Sequence, residues 1–199
     1  MAPLVLASTS RYRRALLDSL GLLFEARAPH CNEVPFPAEA PETAVRRFAL
    51  EKARSLANEC PGALIVGSDQ GVELDGELLG KPGTEEAAVS QLLRLSGRTH
   101  RLLTAVTVHL AGSGREASGL CVHHMAMRPL TRDQAWAYVR QDAPLDCAGA
   151  YRVEGLGTAL FEEMQGPDHT GIIGLPLTLV GNLVEAIGQR WLARTLGEK

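Results

Sequence analysis

In the segment LIVGSDQ, Leu64 to Gln70, an apolar run ends on small polar residues and one carboxylate, Asp69. The run reads as a buried strand, and an ionised group at the end of such a strand needs a partner. After the turn-rich stretch VELDGELLG comes Lys81-Pro82, so a hairpin can return an ammonium towards that carboxylate. An acid beside a base suits phosphate or metal chemistry. Glu33, in an early loop, can share a divalent cation (Mg2+ or Mn2+) with Asp69, because hard ions take oxygen ligands and orient phosphates. Taken alone, Glu33 is an ordinary solvated loop acid. Lys52 and Lys81 can each neutralise charge developing on a phosphate, although Lys52, on a helix with many charged residues, reads by itself as a surface side chain. The segment ASTSRYRR, Ala7 to Arg14, places Ser8, Thr9 and Ser10 before arginines one turn on. Free amides, hydroxyls and guanidinium groups there can hold an anion; the bland reading, capping residues plus solvated arginines, is the first one for this segment alone. It is not a P-loop, because the glycine spacing and the Lys-Ser/Thr ending are missing.

Other chemistries find less support. His123 and His124 are strand neighbours pointing to opposite faces, so they are not a ligand pair. No G-x-S-x-G elbow occurs, and no serine or cysteine has a triad context. The four cysteines, Cys31, Cys60, Cys121 and Cys147, form no C-x-x-C pair and read as reduced residues of a cytoplasmic protein. The opening MAPLVLAST turns polar and basic too soon for a signal-peptide core, and no apolar run approaches membrane-spanning length. A net charge of -3 without a long basic tract argues against a nucleic-acid polymer as partner, while a single nucleotide needs only a few local cations.

These residues must be positioned by a core, and 199 residues with 45% apolar side chains can build one. Leu4 to Ala7 reads as a strand running into a helix that begins near Arg11, with Leu16, Leu17 and Leu20 apolar. Leu23 to Ala28 reads as a second strand, and a Pro- and Glu-containing loop leads to a helix from about Glu42 to Asn58. Thr84 caps a helix to Leu95 whose inward face is Ala88, Leu92 and Leu93. Thr99 to Leu110 and Leu120 to Met127 read as a long antiparallel pair around the turn AGSGRE. Thr131 to Gln141 is a capped helix, CAGAYRVEGLGTALFEEMQGP a glycine-rich functional loop plus a strand, and Pro176 to Leu196 a terminal helix interrupted near Gly188. This rhythm predicts a three-layer α/β fold with a mixed sheet, one domain over 1–199, in which the Thr99 to Met127 pair and the early half form two lobes with a cleft.

The ordered set LVLASTSRYRR, Glu33, FALEKA around Lys52, LIVGSDQ, LGKP, LSGRTH, CAGAY, EGLG and IGLP resembles the Maf-type nucleotide pyrophosphatases over nearly the whole chain. The resemblance implies a Maf/ITPase-like fold, divalent-metal-dependent hydrolysis of a nucleoside triphosphate to the monophosphate and diphosphate, and frequent homodimerisation. It implies that Asp69 is the proton acceptor, that Glu33 and Asp69 hold the metal, and that Ser8, Arg13, Lys52 and Lys81 clamp the triphosphate. Two departures from the family pattern are Asn32, where a second acid often precedes Glu33, and Arg11, where a proline usually starts the helix. Tyr12, Gln70 and Glu154 occupy three base-reading positions. An aromatic, Gln and Glu there resemble the branch acting on 7-methyl-GTP, whereas the branch acting on dTTP and UTP has Arg, Thr and Gln. Methylation gives guanine a positive charge that stacks on an electron-rich ring, worth ~1–2 kcal/mol when desolvated. A carboxylate at Glu154, as a buried acceptor, can take the two adjacent donors of the guanine edge, which uracil and thymine do not offer. The alternatives are a dTTP/UTP pyrophosphatase and a nucleotide-binding regulator of cell division.

Overall fold

A computed structural model of the chain describes residues 1–197. In chain order it forms β1 (Leu4–Ala7), α1 (Arg11–Asp18), β2 (Glu25–Arg27), α2 (Pro41–Ser55), β3 (Leu64–Leu74), β4 (Glu77–Leu79), α3 (Glu85–Leu95), β5 (Thr99–Leu110), β6 (Arg115–Met127), α4 (Arg132–Asp142), β7 (Phe161–Gln165), α5 (His169–Ile173), α6 (Leu177–Ala186) and α7 (Trp191–Thr195). The strands form one mixed sheet in the order β2-β1-β3-β5-β6-β7, with β4 paired to β3. By its contacts the chain divides into two compact units. The first holds Met1–Asp69, Thr104–Cys121 and the residues from Asp168 on; the second holds Gln70–Leu103 and Val122–Pro167. Among the described residues no helix is long and apolar enough to cross a membrane.

The first unit is the predicted three-layer arrangement. β1 pairs in parallel with β2 on one side and β3 on the other, as crossovers through α1 and α2 require. Its side chains alternate between two cores. Leu4 and Leu6 join Leu17 of α1 and Val180, Leu183 and Val184 of α6, whereas Val5 and Ala7 join Ala53 and Leu56 at the end of α2. Burial on both faces explains why the strand reads as an unbroken apolar run. The terminal helix is interrupted as expected, Gly188 turning the chain at φ 74° between α6 and α7. The short α5, capped by the Asp168 carboxylate accepting from Thr170 N–H, has too little apolar periodicity to be visible in sequence.

In the second unit, Asp75 (φ 55°) and Gly76 (φ 81°) close the β3–β4 hairpin, whose ladder runs from Leu74↔Glu77 to Val72↔Leu79. Two positive-φ residues in an Asp-Gly turn match the right-handed strand twist. Thr84 caps α3 and Thr131 caps α4 with a full capping box to Gln134. The inward face of α3 is Ala88, Val89, Leu92 and Leu95; Leu93, expected inside, is only partly buried because the helical stripe falls on Leu92 and Leu95. His100, Tyr151 and Phe161 form a buried aromatic cluster, with Tyr151 and Phe161 edge-to-face at 4.9 Å. His123 is buried and its neighbour His124 exposed, as strand alternation requires.

The strand carrying Asp69 differs from expectation. It does not stop at Gln70 but continues to Leu74, so Asp69 lies mid-strand. The pairing of β1 with β3 ends at Ala7↔Gly67, two residues before Asp69, and this is the change of partner that the polar residues mark. Gly67 itself is a close-approach residue. A Cβ there would lie 2.3 Å from the Ala49 carbonyl oxygen and 2.7 Å from the Ala53 nitrogen, both backbone atoms of α2. Gly67→Ala is therefore expected to force α2 off β3 and to destabilise the protein by ~1–3 kcal/mol. Urea unfolding checks this, and an unchanged midpoint would contradict the close packing.

Candidate active site

Five of the side chains named from sequence, Ser8, Arg13, Glu33, Lys52 and Asp69, belong to the first unit. α2 starts with Pro41 at its first turn and buries Ala44, Val45, Phe48, Ala49 and Ala53. Lys52 falls on that same stripe, so it is not the surface residue its charged neighbours suggest. It is 4% exposed. The sequence signal was the interruption of an i, i+3, i+4, i+7 apolar pattern by a cation. Because Gly67 lets the helix touch β3, the Lys52 ammonium reaches the strand: Nζ donates to Asp69 Oδ1 at 2.6 Å, and Asp69 is itself only 6% exposed.

Glu33 meets the same ammonium, its Oε1 standing 3.0 Å from Lys52 Nζ. Its loop is fixed by Arg47 of α2, which donates to both oxygens of Glu39 (2.8 and 2.6 Å) and to the Val34 carbonyl at 3.1 Å, and lies 4.0 Å over the Phe36 ring. The Arg47 guanidinium holds the Glu39 carboxyl well below the usual range, at about 2.

Arg13 is held from the other side. Ser10 caps α1 by accepting from the Arg13 N–H, and Arg13 Nη1 donates to Ser8 Oγ at 3.4 Å. Arg13 Nε donates to the Gly174 carbonyl at 2.9 Å. That same oxygen accepts from the Ser68 hydroxyl at 2.9 Å. Ser68 and Gly174 are thus site residues missed by the sequence reading, and only the motif IGLP hinted at the second. Burial lowers the Arg13 pKa, opposed by the charges of Asp69 and Glu33. Burial raises the Asp69 pKa, opposed by Lys52 and Arg13. A desolvated carboxyl with an elevated pKa, facing cations, has the character of a general base.

Tyr12 follows on α1. The Arg11 guanidinium lies 4.8 Å from its ring centroid and donates to its hydroxyl at 2.7 Å, so the ring already acts as a cation–π surface.

Gln70, Lys81 and Glu154 belong to the second unit. Gln70 follows Asp69 in β3 and is partly buried. The β3–β4 ladder ends at Leu79, and Lys81 lies beyond it, exposed, in a segment tied by Gln91 donating to the Gly80 carbonyl and Gly83 N–H donating to the Leu145 carbonyl. Glu154 is exposed, not the buried acceptor expected, because it sits on an irregular loop between short 3₁₀ turns. Burial, with Asp146 and Glu154, pushes the Cys147 thiol up to about 12, and burial pushes Cys121 up to about 11, both away from the range of a reactive thiolate. All four cysteines are free.

Among the described residues no group of three or more His, Cys, Asp or Glu side chains could hold a metal ion. Two carboxylates already converging on one cation, Glu33 and Asp69 around Lys52, do fit the way Mg2+ binds, through one or two carboxylates with substrate phosphates and waters completing the shell.

The family model described as Maf-like protein matches residues 3–187. The chain belongs to the Maf-like protein family. Its relatives include a protein of Polaromonas sp. (strain JS666 / ATCC BAA-500) named 7-methyl-GTP pyrophosphatase, 45% identical over 94% of this chain and 85% of its own. A protein of the same name from Syntrophotalea carbinolica is 41% identical over the full length of both. A HAM1 protein from Coxiella burnetii shares the fold, with a TM-score of 0.50 at 15% identity over 92% of this chain and 99% of that one. In this chain Lys52 contacts both Asp69 and Glu33, Arg13 contacts Ser8, and the charges of Asp69 and Glu33 act on Arg13, so the five side chains lie together.

Lys52→Met would leave Asp69 buried without its main counter-charge, a loss of about 3–5 kcal/mol at neutral pH. A carboxyl whose folded-state pKa lies above its unfolded value stabilises the fold in acid and loses that contribution as pH rises through the folded value. The gap between wild type and Lys52→Met should therefore widen from about pH 4, the ordinary carboxylate range, to about pH 7. Urea titrations at both values measure it, and a gap independent of pH would refute the assignment.

Proposed function

We propose that this chain is a nucleoside triphosphate pyrophosphatase that hydrolyses 7-methyl-GTP to 7-methyl-GMP and diphosphate. The reading rests on the buried carboxylate of Asp69, its pKa raised by burial, paired with Lys52 at 2.6 Å. Relatives at 41–45% identity carry the name of that activity.

In this mechanism Asp69 takes a proton from a water molecule. The water oxygen bonds to the α-phosphorus, the bond from that phosphorus to the bridging oxygen breaks, and diphosphate leaves with the bridging oxygen. Ser8, Arg13, Lys52 and Lys81 hold the triphosphate and offset its growing negative charge. Glu33 and Asp69 would hold a divalent cation, Mg2+ or Mn2+, which when bound supplies further positive charge to the phosphate oxygens. Because Arg13 is pinned by Ser8 and Gly174, its guanidinium needs little reorganisation as the charge develops. Tyr12 provides the ring for the cationic base, where Arg11 now lies, and Glu154, with Gln70, reads the guanine edge. We read the setting as cytoplasmic, where four cysteines without a C-x-x-C pair would stay reduced.

Asp69→Asn keeps an oxygen acceptor for Lys52 and should fold, while turnover drops by ~10²–10⁴-fold; undiminished turnover in the purified variant would rule out the base. In a panel of 7-methyl-GTP, GTP, dTTP, UTP and CTP with Mg2+ or Mn2+, diphosphate release should be fastest with 7-methyl-GTP. Glu154→Gln should lower its kcat/KM relative to UTP by ~10-fold or more. A ratio that does not move refutes the base-reading role, and binding without diphosphate release from any nucleotide refutes the enzyme.

A further inference from the structure

The loop that carries Glu154 is fastened to one buried carboxylate. Asp142, at the end of α4, has a side chain only 3% exposed. The Tyr138 hydroxyl, one turn earlier on the same helix face, donates to Asp142 Oδ2 at 2.9 Å. The guanidinium of Arg152 donates to the other oxygen, Oδ1. Arg152 also returns to the helix through its backbone, its N–H donating to the Tyr138 hydroxyl oxygen at 3.0 Å. Tyr138 is thus donor to the carboxylate and acceptor from the loop.

The chain from Arg152 to Thr158 is wound tightly around this anchor. The Arg152 carbonyl accepts from Gly155 N–H at 3.2 Å and from Gly157 N–H at 3.0 Å, and the Val153 carbonyl accepts from the Thr158 hydroxyl. Both glycines are required by space. A Cβ on Gly155 would lie 2.6 Å from Asp142 Oδ1 and 2.8 Å from the Arg152 guanidinium, and one on Gly157 would lie 2.3 Å from the Arg152 carbonyl oxygen. Glu154 stands at the exposed crest of this closed loop, two residues from the anchoring arginine.

A bidentate contact with two adjacent donors demands one orientation of the acid, and the backbone that carries it must be set accordingly. We propose that Asp142, acting through Tyr138 and Arg152, is a positioning group that sets the backbone of Glu154 for recognition of the base. The inference rests on Glu154 being the base reader. A loop anchored for stability alone would, when loosened, lower the melting temperature and affect every substrate alike. A positioning role acts on one substrate through one residue.

The test is a double-mutant cycle on kcat/KM for 7-methyl-GTP relative to UTP, with Asp142→Asn and Tyr138→Phe each made alone and with Glu154→Gln. Each anchor variant alone should lower the ratio ~5- to 20-fold, chiefly through KM for 7-methyl-GTP. In the Glu154→Gln background the same variants should change it less than about twofold. Tyr138→Phe keeps the ring and loses only the hydroxyl, so it decides the outcome if Asp142→Asn does not fold. Additive effects in the two backgrounds, or equal losses for both substrates, would overturn the positioning role while leaving Glu154 as the reader. A Glu154→Gln single variant with an unmoved ratio would overturn both.

Discussion

The buried contact of Lys52 with Asp69 is the constraint on which the first unit is organised. An ammonium and a carboxylate, each almost wholly removed from water, are tolerable only in each other's company. Bringing them together requires a helix backbone lying directly on a strand, and the missing side chain at Gly67 allows it. Several sequence features follow: small residues Ala49 and Ala53 on the helix face, a glycine in the strand, and a lysine where the apolar stripe calls for a hydrophobe. Such a pair contributes less to stability than apolar packing of the same volume would, so its presence at the heart of a small core is an argument for chemistry.

Around that pair the other charges are held by carbonyls and hydroxyls more than by further charges. Arg13 is fastened through Gly174 and Ser8, and Ser68 binds the same carbonyl from the neighbouring strand residue to Asp69. Arg13 is thereby fixed by uncharged groups, which suits a guanidinium that offsets charge appearing only during reaction. Glu33 is the looser partner, more exposed than Asp69, yet its loop is tied down by the Arg47 contacts with Glu39, Val34 and Phe36. The second unit uses the same device in another form, a buried carboxylate at Asp142 organising a glycine-rich loop through Tyr138 and Arg152.

What the sequence determined by itself was local. Helix caps at Ser10, Thr84 and Thr131, the Asp75-Gly76 turn, the break at Gly188 and the strand β1 depend on short-range sterics and hydrogen bonds, and they appear where the residues place them. The order of polar motifs identified the family. Tertiary structure decided what distance along the chain conceals. It buried Lys52, carried the Asp69 strand on to Leu74, exposed Glu154, and recruited the Gly174 carbonyl as the anchor of Arg13. Periodicity reports which face of an element is apolar, but the partner of a buried charge lies on another element, and only packing chooses it.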